Sequence, residues 1–165
     1  MKEKLFVIAC GGTGGHLTPG IALAEEFLSR GHKCVLIISK KLVDQKLCSA
    51  YPHITFIKFP GIGFSKNIFA LPKFIYFLFK NFFKAICLLK RLQPVAVIGF
   101  GGFTNASVVL SAYLLRKPCF LHEANQVVGK TIRYLSRIAT KVYLPEGVLL
   151  NSISSHKQET FGFPL

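Results

Sequence analysis

The stretch Leu5 to His16, LFVIACGGTGGH, decides the fold. Its first half, Leu5 to Cys10, is an unbroken apolar run, the mark of a strand buried on both faces. Its second half puts four glycines, Gly11, Gly12, Gly14 and Gly15, into five positions before a helical pattern begins. Glycine accepts positive φ and lets the backbone come close to a ligand. The start of the following helix offers unpaired N–H groups and the positive end of its dipole, which together suit a diphosphate. Leu17 stands where G-x-G-x-x-G would need its last glycine, and no G-K-[ST] follows, so the turn differs from ordinary dinucleotide and ATP loops.

Outward from this stretch the same grammar repeats. A helix is expected from about Pro19 to Arg30, with Thr18 as N-cap and Gly31 closing it. Cys34 to Ile38 reads as a second strand, about Lys41 to Ala50 as a helix, and Ile54 to Phe59 as a third strand before a loop holding Pro60, Gly61 and Gly63. A long helix from about Ala70 to Leu92 is stopped by Pro94. Val95 to Ile98 is another apolar strand, and Asn105 to Leu115 the next helix. Cys119 to Leu121 (strand), Gly129 to Ile138 (helix), Lys141 to Leu144 (strand) and a loop with a short strand from Ser152 to Leu165 complete the chain. Solid apolar strands alternating with helices predict an α/β fold, a Rossmann-like, doubly wound parallel sheet.

Composition sets bounds. The 21 Lys and Arg against 7 Asp and Glu give a formal charge of +14, which points to a polyanionic partner: nucleic acid, an anionic membrane surface or phosphate-bearing substrates. Asp44 and six scattered glutamates form no carboxylate cluster for a hard cation, so neither a metal nor another cofactor is expected. The five cysteines, Cys10, Cys34, Cys48, Cys87 and Cys119, are spread without a C-x-x-C and read as reduced, buried thiols of a cytoplasmic protein. Lys2 to Lys4 lead directly into a short strand, unlike a signal peptide. Ile68 to Leu89 is broken by Pro72, Lys73, Lys80 and Lys84, a poor membrane span.

Two further motifs fall at strand ends. Gly99 to Thr104, GFGGFT, repeats the glycine logic after the fourth strand, at the carboxyl edge where open α/β sheets bind ligands. Its Thr104, with Asn105 and Ser107, also reads as simple helix caps. His122, Glu123, Ala124 and Asn125 follow the fifth strand and put a base, a carboxylate and an amide on the same edge.

Taken together, GGTGGH with Pro19 and Gly20, the second glycine loop and the His122–Asn125 segment resemble the MurG family of bacterial transferases that convert lipid I to lipid II. The likeness runs along the whole chain in order. It implies the N-terminal domain of an inverting, two-Rossmann-domain (GT-B) glycosyltransferase with no metal cage. GlcNAc would pass from UDP-GlcNAc to the MurNAc C4 hydroxyl of the undecaprenyl-diphosphate-linked MurNAc-pentapeptide, at the cytoplasmic face of the bacterial inner membrane. Thr13, Gly14, Gly15 and Asn125 match family positions that touch the donor. Gly12, Gly14, Gly15, Gly101, Gly102, Phe103 and Thr104 would hold the acceptor diphosphate. His16 and Glu123 are the candidate bases. An imidazole titrates near neutral pH without a large shift, which favours His16, while its place at a helix N-terminus lowers its basicity and leaves a binding role open.

There are departures from the pattern. Ala124 stands for a glutamine and Phe103 for a common tyrosine, each losing a polar group. Gly162 to Leu165 resembles the family's GNPVR up to the arginine. The expectation is an acceptor-side domain over 1–162, with 163–165 opening a linker to an absent C-terminal donor domain.

The long helix carries one more reading. At ~100° per residue, Lys80, Lys84 and Arg91 fall within about 20° of Lys73, while Leu71, Ile75, Leu78, Phe82 and Leu89 form an opposite core stripe. Phe69, Tyr76, Phe77 and Leu88 flank the basic stripe, and the segment has no acidic residue. Basic residues beside exposed aromatics predict peripheral binding to an anionic bilayer through Phe69, Lys73, Tyr76, Phe77, Lys80 and Lys84. MurG relatives use this region as a membrane-facing patch. Two rival classes remain on these residues: the non-catalytic, membrane-bound subunit of a split lipid-linked GlcNAc transferase, and a nucleic-acid-binding domain. The second rests on charge alone, since no RNA or DNA motif is present, so no nucleic acid is expected.

Overall fold

The computed structural model describes residues 2–11, 14–41, 46, 48–60, 69 and 71–160. Among them, strands β1 (Leu5–Ala9), β2 (Lys33–Ser39), β3 (Thr55–Phe59), β4 (Ala96–Gly99), β5 (Cys119–His122), β6 (Lys141–Leu144) and β7 (Gln158–Thr160) form one sheet. Its order is β3-β2-β1-β4-β5-β6-β7, and each neighbouring pair runs parallel. Helices α1 (Gly14–Ser29), α2 (Leu71–Leu92), α3 (Gly102–Leu114) and α4 (Lys130–Leu135) join them. This is the expected Rossmann-like doubly wound fold.

The unbroken apolar runs are explained by two cores, one on each face of the sheet. Val7, Ala9, Val35, Ile37 and Val97 point into one, with Ala85 and Leu89 of α2, Val108 and Ala112 of α3, and Ile132 of α4. Ile8, Leu36, Ile38 and Ile98 point into the other, against Leu17, Ile21 and Ala24 of α1. Successive strand residues alternate between faces, so both parities must be apolar. The chain winds outward from β1 to β3, returns to β4 beside β1, and winds outward again. That reversal opens a crevice at the carboxyl ends of β1 and β4.

The element boundaries carry corrections. α1 begins at Gly14, not near Pro19, because the glycine turn itself winds into the helix. Pro19 lies within it, where its missing N–H costs only the carbonyl four residues earlier, that of Gly15, an intrahelical partner. The end is as expected: Gly31 takes φ 75° and donates to Leu28 O at 3.0 Å, and His32 donates to Phe27 O at 2.9 Å. α3 likewise starts at Gly102, so Phe103 and Thr104 belong to its first turn rather than to a loop. The final segment 161–165, with the GNPVR-like residues and the proposed domain boundary, lies outside the described residues.

The buried face of α2 also differs from the expected stripe. Its buried residues are Asn81, Ala85, Leu88 and Leu89, a face rotated by about 60° at ~100° per residue. The small Ala85 admits α3 closely. Asn81 Nδ2 donates to Pro60 O at 2.6 Å, and Ser111 Oγ of α3 donates to Phe82 O at 3.0 Å. These polar ties turn the helix so that Leu71 and Ile75 face outward and Leu88 inward. None of the five cysteines is in a disulfide; Cys10, Cys34 and Cys119 are buried as expected, whereas Cys87 is exposed on α2. Burial pushes the thiol of Cys34 up to about 12 and that of Cys119 up to about 11.

Candidate functional site

The two glycine turns meet at the crevice. Gly11 is buried against the end of β2, where a methyl group on it would lie 2.1 Å from Ser39 N and 2.5 Å from the carbonyl carbon of Ile38. Gly12 and Thr13 lie outside the described residues. Gly14 and Gly15 begin α1; Gly15 is exposed, with nothing within 4 Å of where a methyl would stand. From the other side, Phe100 N donates to Ala9 O at 3.0 Å, tying the second turn to β1. Gly101 and Gly102 take φ 93° and 75°, conformations that favour glycine. A methyl on Gly102 would lie 2.9 Å from Gly11 O, so only glycine lets the turns approach this closely.

His16 lies across that junction. Its Cε1 is 3.3 Å from the place of a methyl on Gly101, and its Cδ2 is 3.6 Å from that on Gly102. The structure thus brings together His16, Gly101 and Gly102, three of the residues singled out from the sequence, with Gly15 next to His16 in the chain.

Thr104, Asn105 and Ser107 do not cap α3. The N-cap position is Gly101, with no side-chain cap. These three side chains are at most 1% exposed, and Thr104 Oγ1, Ser107 Oγ and both polar atoms of Asn105 have no hydrogen-bond partner among the described residues. Asn105 Oδ1 fills the volume that a side chain on Gly99 would need, 1.9 Å from such a methyl. An uncapped helix start beside a glycine turn, backed by buried polar groups, is an environment in which an anion is stabilised. The capping role is the alternative the sequence also allows, because Thr, Asn and Ser after a glycine turn usually play it.

The third motif separates into different roles. His122 closes β5, is 8% exposed, and sets its ring 5.1 Å from that of Phe100. Glu123 is 2% exposed, and its N–H donates to Tyr143 O. Its Oε1 accepts from Asn125 N at 3.0 Å and Asn125 Nδ2 at 2.7 Å, and its Oε2 accepts from Gly129 N at 2.7 Å. A general base must reach a substrate proton; this carboxylate is enclosed and occupied, unlike the expectation for it. Asn125 is exposed. Among the described residues no three His, Cys, Asp or Glu groups converge on a metal site.

On α2, Phe69 just ahead of it, Tyr76, Phe79 and Phe83 are 88%, 59%, 58% and 61% exposed. Lys73 and Lys80 stand beside them, with Lys80 Nζ 5.6 Å from the centre of the Tyr76 ring. Phe77 is half-buried, not exposed, and Lys84 is exposed but reaches back to β3: its Nζ donates to Lys58 O at 2.9 Å and lies 4.4 Å from the Phe59 ring centre. Burial, and then the charges of Lys40 and Lys80, hold the Lys84 pKa below the ordinary lysine value. No helix among the described residues is long and apolar enough to cross a membrane.

Comparison with known proteins adds the relatives. The chain is 47% identical over 160 residues to the UDP-N-acetylglucosamine–N-acetylmuramyl-(pentapeptide) pyrophosphoryl-undecaprenol N-acetylglucosamine transferase of Opitutus terrae, covering 97% of itself and 42% of that relative. It is 37% identical over 146 residues to the enzyme of the same name from Acidovorax ebreus, spanning 36% of its length. The crystal structure of Acinetobacter baumannii MurG superposes with a TM-score of 0.80 at 27% identity, over 95% of this chain and 45% of that one. The model of the glycosyltransferase family 28 N-terminal domain matches residues 6–144, and the chain belongs to that family.

Proposed function

We propose that this chain is the acceptor-side half of an inverting GlcNAc transferase that converts lipid I to lipid II in peptidoglycan synthesis. The observation that carries the reading is His16 lying over the junction of two glycine turns at the sheet's switch point. The backbone amides of the turns and the uncapped start of α3 would hold the acceptor diphosphate, placing the MurNAc C4 hydroxyl near His16. The imidazole would take the hydroxyl proton as its oxygen attacks the anomeric carbon of GlcNAc, and UDP would leave from the opposite face. Gly14, Gly15 and Asn125 would meet the donor from this side, as would Thr13.

The chain spans 42% of the length of the Opitutus terrae relative, so the remaining donor-side domain is proposed to be required. Co-purified with the C-terminal half of that relative, the chain is expected to transfer radiolabelled GlcNAc from UDP-GlcNAc to lipid I, and alone to transfer none. Transfer by the 165 residues unaided would sink the two-half reading. Failure of the pair, where the full-length relative works in the same assay, would sink the function.

Attachment to the cytoplasmic face of the inner membrane is supported by the aromatic and basic side of α2. Each basic residue near an anionic surface contributes roughly 1 kcal/mol, and partial burial of each phenylalanine a fraction of ~1.5–3 kcal/mol. Co-sedimentation with vesicles rich in anionic lipid is expected, and Phe79→Ser with Phe83→Ser should weaken it by roughly tenfold or more, since 1.4 kcal/mol is already tenfold. Undiminished sedimentation of the double variant would remove this face from membrane binding.

A further inference from the structure

We infer that Glu123 is a positioning residue: its buried carboxylate clamps the loop after β5 and turns the Asn125 carboxamide so that Oδ1 is offered to a ligand hydroxyl. The inference rests on the transferase reading only for the identity of that hydroxyl, a sugar hydroxyl of the donor.

The argument starts from the donors. All three groups on Glu123 are N–H groups, so both carboxylate oxygens accept: Oε1 twice from Asn125, Oε2 once from Gly129. A carboxylate 2% exposed needs such partners, since burying it without them is costly. The same bonds fix what Asn125 presents. An amide oxygen placed 2.7 Å from a carboxylate oxygen would be repelled, so the nitrogen must face Glu123. That leaves Oδ1 of an exposed side chain pointing away from the clamp, an acceptor suited to a hydroxyl donor.

The clamp is anchored at both ends. The Glu123 N–H is held by Tyr143 O at the end of β6, and Gly129 is the N-cap of α4, whose Ile132 reaches the Gly101 turn. A methyl on Gly129 would stand in van der Waals contact with Glu123 Oε2, at 3.4 Å. One carboxylate therefore ties the loop 123–129 to the sheet, to α4 and to the ligand-facing amide.

The test uses Glu123→Gln, whose amide group must set a donor against one of the three N–H groups. In the two-half enzyme, KM for UDP-GlcNAc should rise by about tenfold, the scale of one lost hydrogen bond, with kcat and the shape of the pH–rate profile largely kept. Asn125→Ala should give the same rise, and the double variant no more than either, since the two act as one unit. Additive losses, or a collapse of kcat with loss of a pH limb, would overturn the inference and return Glu123 to the role of base.

A second readout needs only the 165-residue chain. Hydrogen exchange at the Asn125 and Gly129 amides should quicken in Glu123→Gln while amides of β1 and β4 keep their protection. Unchanged exchange at both positions would overturn the clamp. If the wild-type pair transfers no GlcNAc, the transferase reading fails, and amide exchange still decides whether the clamp exists.

Discussion

In the enzyme assembled from both halves, His16→Ala is expected to lower kcat by about 10²–10⁴-fold, the usual contribution of a positioned general base. KM for UDP-GlcNAc and the far-UV circular dichroism should stay near wild type. The fold is spared because position 16 lies in the first turn of α1, where alanine is the best helix former, and because the imidazole touches the glycine turns rather than filling a core. Partial recovery of turnover with added imidazole would support proton transfer over simple binding. Turnover within about threefold of wild type, well short of a base's usual contribution, would remove His16 from catalysis.

Gly11→Ala should cost the most stability of any substitution in the glycine turns. Its methyl would meet Ser39 N and the Ile38 carbonyl carbon, main-chain atoms of a central strand. They cannot withdraw without disturbing the Cys10 N–H to Ile37 O bond beside them. Overpacking usually costs about 1–3 kcal/mol, and a clash with backbone belongs at or above the top of that range. For a chain of this size that lowers Tm by roughly 6–12 °C. Gly15→Ala, with open space around it, should leave Tm unchanged or slightly raised, because alanine favours the helix. Yet it should weaken transfer by the two-half enzyme, because its methyl enters the ligand's approach. Thermal melts of both variants check the contrast; equal Tm values would mean that Gly11 has room to spare.

The parts of the fold governed by one rule were legible in the sequence. Leu5 to Cys10, Cys34 to Ile38 and Val95 to Ile98 read as strands because two-sided burial leaves no polar residue inside them, and each coincides with a strand to within a residue at either end. Both glycine turns were legible because a close backbone approach has few chemical solutions, and His16 ends the first of those motifs. The misreadings arose where two rules competed. In α2 the bulky residues suggested one stripe, but the Asn81 bond to Pro60 O and the small Ala85 set the contact with α3. Lys84, counted with the outward stripe, is exposed, and what the sequence does not show is that its Nζ also reaches a carbonyl and a phenylalanine ring of β3. Glu123 stood as the second candidate base, after His16, because sequence shows the presence of a carboxylate, not how many N–H groups surround it.

The contact between Gly102 and Gly11 has a consequence for assembly. The two turns belong to strands that pair only after β2, β3 and α2 have been laid down between them. Such a non-local seam is among the slower things a chain forms, so no short fragment can contain the anion cradle. Linkage then works in both directions: a ligand bridging the seam raises the resistance of the whole sheet to unfolding, and whatever parts the seam sets the ligand free.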